Sequence, residues 1–251
     1  MQEPYATIQV GDHFENMRVQ SDIFKRWLTH AYYVRYCGVP LSSAMNEVIN
    51  FASSKALFAG ECRDASLRVG GHNDHVYLDL GQPDWSAVKV TQDGWELQDR
   101  PAFYFRRSPG MDALPMPAEG GDIETLRSFV NLESDKHFAL IVAFLLASLY
   151  PSGPYPILVL NGEQGSGKST LARVLRQLVD PNRADTRQPP SNDDALLVAA
   201  DNGWMLNFDN LSSVSAWLSD ALCRISTGAG FSRRRLFTNT DEVIVNVSRP
   251  V

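Results

Sequence analysis

The sequence predicts an α+β N-terminal region, a helical hairpin plus a small antiparallel sheet, followed by an α/β core with a mainly parallel sheet. Three observations carry this prediction. Apolar residues recur at helical spacing to about residue 60, then alternate with period two between Ser66 and Phe105. A proline- and glycine-rich connector runs from Arg106-Arg107-Ser108-Pro109-Gly110 to Gly120-Gly121. Beyond it, the apolar run Ile157-Leu158-Val159-Leu160 feeds Gly162-Glu163-Gln164-Gly165-Ser166-Gly167-Lys168-Ser169, a complete G-x-x-x-x-G-K-[ST] sequence. Two domains are expected: an accessory domain over residues 1–110, and a core with a helical lead-in over 111–251.

In order along the chain, Ser21 is placed to cap a helix carrying Phe24, Trp27, Leu28, Ala31 and Tyr32 on one face and ending near Gly38-Val39-Pro40. Ser42 or Ser43 starts a second helix, through Val48, Ile49, Phe51 and Leu57 to Gly60, and the short connection makes the two a hairpin. Tyr32, Tyr33 and Tyr36 have the surface to stack on bases, but tyrosines at this spacing more often form core and rim. Val76, Leu78 and Leu80 then alternate with Tyr77 and Asp79. Val88 and Val90 follow, Thr91-Gln92-Asp93-Gly94 turns the chain back to Trp95 and Leu97, and Phe103 and Phe105 add a short strand. His72 and His75 have no third ligand nearby and read as loop histidines, not as a metal pair.

The hydrophobic fraction of 44% over 251 residues is enough for real cores. The start is polar and acidic, with no secretory signal, and the most apolar stretch, Phe138 to Tyr150, is too short to span a bilayer and reads as a buried helix. A soluble, cytoplasmic protein with no membrane partner is expected. Cys37, Cys62 and Cys223 are odd in number and far apart, which suits reduced buried thiols and excludes a zinc cluster. Residues 151–251 carry ten basic and ten acidic side chains, so the whole net charge of −6 falls on residues 1–150. Contact with a polyanion is therefore expected only as a local feature of the C-terminal part.

In that part, Asp122 is set to cap a short helix and Asp135 to begin the apolar one, before Pro151 to Pro156 stiffens the entry into the apolar run. Gly162, Gly165 and Gly167 let the main chain reach positive φ, so that successive N–H groups converge on phosphate oxygens. Leu171, Val174, Leu175 and Leu178 make the following helix amphipathic, with the positive end of its dipole at the loop. Lys168 is expected to reach the β- and γ-phosphates and the Ser169 hydroxyl to ligate Mg²⁺, with Thr170 a second hydroxyl behind it. The cofactors expected are ATP and Mg²⁺, bound by Gly162, Glu163, Gln164, Gly165, Ser166, Gly167, Lys168, Ser169 and Thr170.

Trp204 to Phe208 is a mainly apolar run ending in Asp209, the position from which a carboxylate holds the metal. Asn210 follows, where many ATPases carry Glu to orient the attacking water, so the general base has no assigned residue. Glu163 and the pair Asp193-Asp194 are candidates, although acids after Ser191 also suit a helix start. Ser213 or Ser215 caps the next helix. A glycine-hinged loop, Ser226 to Gly230, then leads to Arg233-Arg234-Arg235 and an alternating run, Val243 to Val247, that suggests a hairpin.

From residue 154 onward this order resembles the superfamily 3 helicase P-loop ATPases, the AAA+-related motors of phage, plasmid and poxvirus-type primase-helicases. The resemblance implies DNA-dependent ATP hydrolysis in the replication of a phage or mobile element, with Lys168, Asp209 and Asn210 at the catalytic centre and Ser169 and Asp209 on Mg²⁺. It also implies that Arg233, Arg234 and Arg235 face DNA, single-stranded or forked, in the pore of a homo-oligomeric ring, with a primase as a further partner. Two departures stand against it: Asn210 replaces the second acid, and Arg249-Pro250-Val251 falls where the family would begin its next central strand, with sensor and arginine finger beyond. Both favour the alternative, a slow or inactive ATP-binding regulatory or assembly module. A small-molecule phosphotransferase would share the loop, but the sequence has no acceptor-site or lid signature.

Overall fold

The computed structural model describes residues 3–234 and 242–251. The chain begins with an antiparallel hairpin, β1 (Tyr5–Val10) and β2 (His13–Arg18), turning at Gly11, whose φ is 59°. Period analysis leaves this hairpin unassigned because its strands mix Thr, Gln, His, Glu and Asn with few apolar residues. Helix α1 (Asp22–Tyr36) follows, the Ser21 hydroxyl accepting from the Phe24 N–H, and Cys37 in the left-handed region ends it before α2 (Ser42–Ala59). Both helices close over β1 and β2 through a small core of Ile8, Met17, Val19, Phe24 and Ile49. Tyr32, Tyr33 and Tyr36 lie exposed on the far half of α1, on the rim and not in the core.

The sheet comes next. Strands β4 (Val69–His72), β5 (His75–Asp79), β6 (Ala87–Thr91) and β7 (Gly94–Gln98) form an antiparallel meander. Two short strands outside it, β3 (Ala65–Ser66) and β8 (Tyr104–Phe105), pair in parallel. His72 and His75 face each other across the turn Asn73-Asp74, and among the described residues no group of three metal-ligating side chains occurs.

The C-terminal half is built from helices around extended segments. A 3₁₀ helix over Ile123–Phe129 takes its cap from Asp122, and α3 (Asp135–Ser148) takes its cap from Ser134. Helix α3 buries Phe138, Ile141, Phe144 and Leu145 but leaves Leu140 and Leu146 exposed, so it is amphipathic, not wholly buried as the sequence suggests. Helices α4 (Lys168–Val179), α5 (Asp193–Asn202) and α6 (Ala216–Thr227) follow, then the antiparallel pair β9 (Phe231–Arg234) and β10 (Glu242–Val245). No described helix is long and apolar enough to cross a membrane.

The mainly parallel core sheet does not form as continuous ladders; the fold is α+β, with small antiparallel sheets and short parallel pairings. The extended segments instead meet rung by rung. Leu158 N–H donates to Val251 O and Leu206 N–H to Pro250 O, each at 2.9 Å, while Arg187 makes a parallel bridge with Phe208. A physical reason is at hand: Pro250, between the two outer segments, has no N–H to give to a ladder. Met205 packs toward Leu175 and Val179 of α4, whereas Leu206 packs toward Leu196 of α5 and Ile225 of α6. Helices therefore cover both sides of these segments.

One buried charge network ties the meander to the helical half. Arg68, fully buried, donates to Asp180 Oδ1 at 3.2 Å and to the carbonyls of Asp79, Asp112 and Pro181. Asp180 Oδ2 accepts from the N–H groups of Trp204 and Met205 at 2.8 and 3.1 Å. The cysteines correct an expectation: Cys37, Cys62 and Cys223 are all exposed free thiols, because they sit at a helix end, after a helix and on an outer helix face.

Candidate phosphate-binding site

Local sequence explains the loop between Leu160 and α4. Gly165 and Gly167 have φ of 84° and 88°, the left-handed region that other residues enter only with strain, and no atom lies within 4 Å of where a Cβ would sit on either. These glycines are required by conformation, and the space beside each is open. Gly167 is the N-cap of α4 and brings no side chain to its N–H groups, so the first turn presents bare donors. The Lys168 ammonium lies across the loop, donating to Gly162 O at 2.7 Å, Glu163 O at 2.6 Å and Ser166 Oγ at 3.3 Å.

The second half of the expected site comes from the run ending in Asp209. Tyr155 packs edge-on against Trp204, with ring centroids 6.0 Å apart, and farther along both runs Leu158 and Leu206 bond to the adjacent residues Val251 and Pro250. The two runs thus advance side by side in the same direction, one strand-width on either side of Pro250-Val251, roughly 10 Å apart at the usual strand spacing. One ends at Gly162, the other at Asp209. Alternation puts Asp209 on the face of Met205, the face that packs on α4. Asp209 Oδ1 accepts from the Asn210 N–H at 2.8 Å, and Asn210 is left-handed, with φ 62°.

Among the other candidates, Asp193 lies in the first turn of α5 and pairs with Arg224 of α6 at 2.9 Å, a structural engagement. Arg233 and Arg234 lie in β9, in register with Val243 and Glu242; their side chains and all of Arg235 fall outside the described residues. Sequence reasoning did not single out Arg187, whose main chain bonds to Asn207 and Asp209 and whose Nε is buried without a partner among the described residues. Nothing in Ala184-Asp185-Thr186-Arg187 announces it, since the stretch has neither apolar alternation nor a run of strand formers.

At the opposite end of the two runs, beside Trp204 and Gly153, lies a cleft of about 940 Å³. Its charges are mutually engaged: Arg18 and Arg106 both hold Asp201, at 3.0 and 2.8 Å, which also ties β2 to α5. Arg249, pushed down to about 10 by burial, donates to Ala200 O and Gly203 O. Pairs of this kind join elements distant in the chain, whereas among the described residues the glycine loop bonds only within itself and to the start of α4.

A family model, the actinomycete integrative conjugative element replication protein, matches residues 123–251, just over half of the chain. The chain belongs to this family. No curated protein and no solved structure matches it. The stretch matched to the replication-protein family contains the glycine loop, α4, Asp209 and the β9–β10 pair, so each candidate site residue lies within it. The N-terminal hairpin, α1, α2 and the meander lie outside it.

Proposed function

We propose that this replication protein is an ATP-binding motor of the helicase type, hydrolysing ATP with Mg²⁺ and acting on DNA when its mobile element replicates. The observation that supports the reading is the shared direction of the runs ending at Gly162 and Asp209, with Asp209 alternating onto the face that packs on α4. The fit to a triphosphate rests on the left-handed glycines and the open space beside Gly165 and Gly167. Main-chain N–H groups of the loop and first turn bind phosphate oxygens, and Lys168 exchanges its bonds to Gly162 and Glu163 for bonds to phosphate. Ser169 and Asp209 supply the hard oxygen donors that suit Mg²⁺, which when bound neutralises charge on the phosphates. Asn210 orients water by hydrogen bonding but is too weak a base to take its proton. Arg233, Arg234 and Arg235 meet DNA phosphates in an assembled ring, with a primase as a separate or fused partner.

One observation favours a slower device. Asn210 stands where a second acid would act, and its N–H is engaged by Asp209; an ATP-binding regulatory or assembly module would need no general base. Steady-state ATP turnover, with and without single-stranded DNA, separates the two. A DNA-stimulated rate abolished by Lys168→Ala supports the motor; tight ATP binding with no turnover in either condition supports the module.

A further inference from the structure

Helix α2 carries two apolar stripes, and the fold uses only one. Ile49 and Ser53 are buried against the N-terminal hairpin. On another side, Ala44, Val48, Phe51, Lys55 and Phe58 follow each other at spacings of three and four and are all exposed, Phe51 by 70% and Phe58 by 90%. Such a seam is the signature of a helix that lies along another helix.

We infer that this stripe docks on a second copy of the same chain, as an antiparallel α2–α2 pair with its two-fold axis at Phe51. The pattern about Phe51 is self-complementary. Four residues before it stands Glu47 and four after it Lys55, and among the described residues neither has an ion-pair partner within its own chain. Antiparallel pairing brings each Glu47 to the Lys55 of the second copy, twice by symmetry. Seven residues before Phe51 stands Ala44 and seven after it Phe58, so the large ring of one copy meets the small side chain of the other. A parallel pair would instead stack Phe58 on Phe58 and Lys55 on Lys55. With roughly 150–250 Å² for each aromatic side chain and Val48 and Leu41 alongside, two copies bury about 1,000 Å², the lower bound for a specific interface. The association is therefore weak, on the order of micromolar. It is independent of the nucleotide site.

Sedimentation equilibrium of the full chain, without nucleotide or DNA and so apart from ring assembly, tests this. A monomer–dimer equilibrium is expected, lost in Phe51→Asp with the helical circular dichroism unchanged. Glu47→Lys and Lys55→Glu each place like charges opposite one another and weaken the dimer about tenfold, while the double variant restores it. A monomer at 100-fold the expected dissociation constant, or a dimer indifferent to Phe51→Asp, overturns the proposal, and a double variant no better than the single ones overturns the antiparallel register. Loss of DNA binding in Phe51→Asp without any change of mass assigns the stripe to nucleic acid instead.

Discussion

Each end of α4 carries a basic side chain, and the two are in opposite situations. At the C-terminal end, Arg176 and Asp180 are buried with Arg68, and burial holds both guanidiniums below their usual basicity despite the carboxylate beside them. Their partners come from segments far apart in the chain, including Asp79, Asp112 and Trp204. At the N-terminal end, among the described residues, Lys168 is bonded only to groups within six positions of itself. A charge satisfied by distant, enclosed partners fixes the fold. A charge satisfied by its own loop can trade those partners for a ligand at little cost to the fold.

The sharpest way to break this contrast is Asp180→Ala, which leaves Arg68 buried without its anion and strips acceptors from Trp204 and Met205. It is expected to cost about 3–5 kcal/mol, read as a shift of the urea midpoint. Lys168→Ala should move that midpoint by less than about 0.5 kcal/mol, as an unenclosed substitution does. Equal costs at the two ends would mean that the loop is structural after all.

Lys168→Ala is expected instead to weaken ATP binding by about 100-fold, near 2.7 kcal/mol, because a charge-assisted contact to phosphate is lost. Gly167→Ala sharpens the role of the loop backbone: with φ at 88° and no atom near the added Cβ, its cost of about 1–2 kcal/mol is conformational strain alone. Gly121→Ala, equally open but without a positive φ, serves as its control and should melt like wild type. Ser215→Ala removes the hydroxyl that accepts from Leu218 N–H and should cost about 1 kcal/mol without touching nucleotide affinity.

A further effect appears only in alkali. Burial pushes the Tyr155 phenol up to about 12, above its unfolded value of 10, and the phenol donates to Tyr150 O. Its contribution is fully present below pH 10 and is lost as pH rises toward 12, so stability should fall over that window. Tyr155→Phe, which has no proton there to lose, should flatten that fall in a pH series of thermal melts.

What the sequence makes legible follows from how local the determinants are. The caps at Ser21 and Asp122 are read correctly, and the cap of α6 is narrowed to Ser213 or Ser215, of which Ser215 is the one used, because a cap is a contact over two or three residues. The glycine loop is equally readable, since φ > 0 at Gly165 and Gly167 is demanded by the chain itself. The β1–β2 hairpin is not, because its strands lean on Phe24 and Ile49 of later helices and show little alternation of their own. Arg68 and Asp180 lie 112 positions apart, and nothing near either residue announces the other. The exposure of the three cysteines is missed for the converse reason: thiols are usually buried, but the sequence does not say which helix faces turn outward. The continuous parallel sheet is expected from apolar runs alone, which cannot foresee a proline at the position shared by two neighbours.

The central claim is that the loop from Gly162 to Ser169 and the Asp209 carboxylate form one magnesium-dependent triphosphate site. Calorimetric titration of the full chain with ATP, in Mg²⁺ and in EDTA, tests it most directly when wild type and Asp209→Ala are run together. The wild type should bind ATP about tenfold or more tightly in Mg²⁺ than in EDTA, and Asp209→Ala should lose that gain while keeping the weaker metal-free binding. Affinity that is the same with and without Mg²⁺ in the wild type, or a magnesium gain untouched by Asp209→Ala, would contradict it.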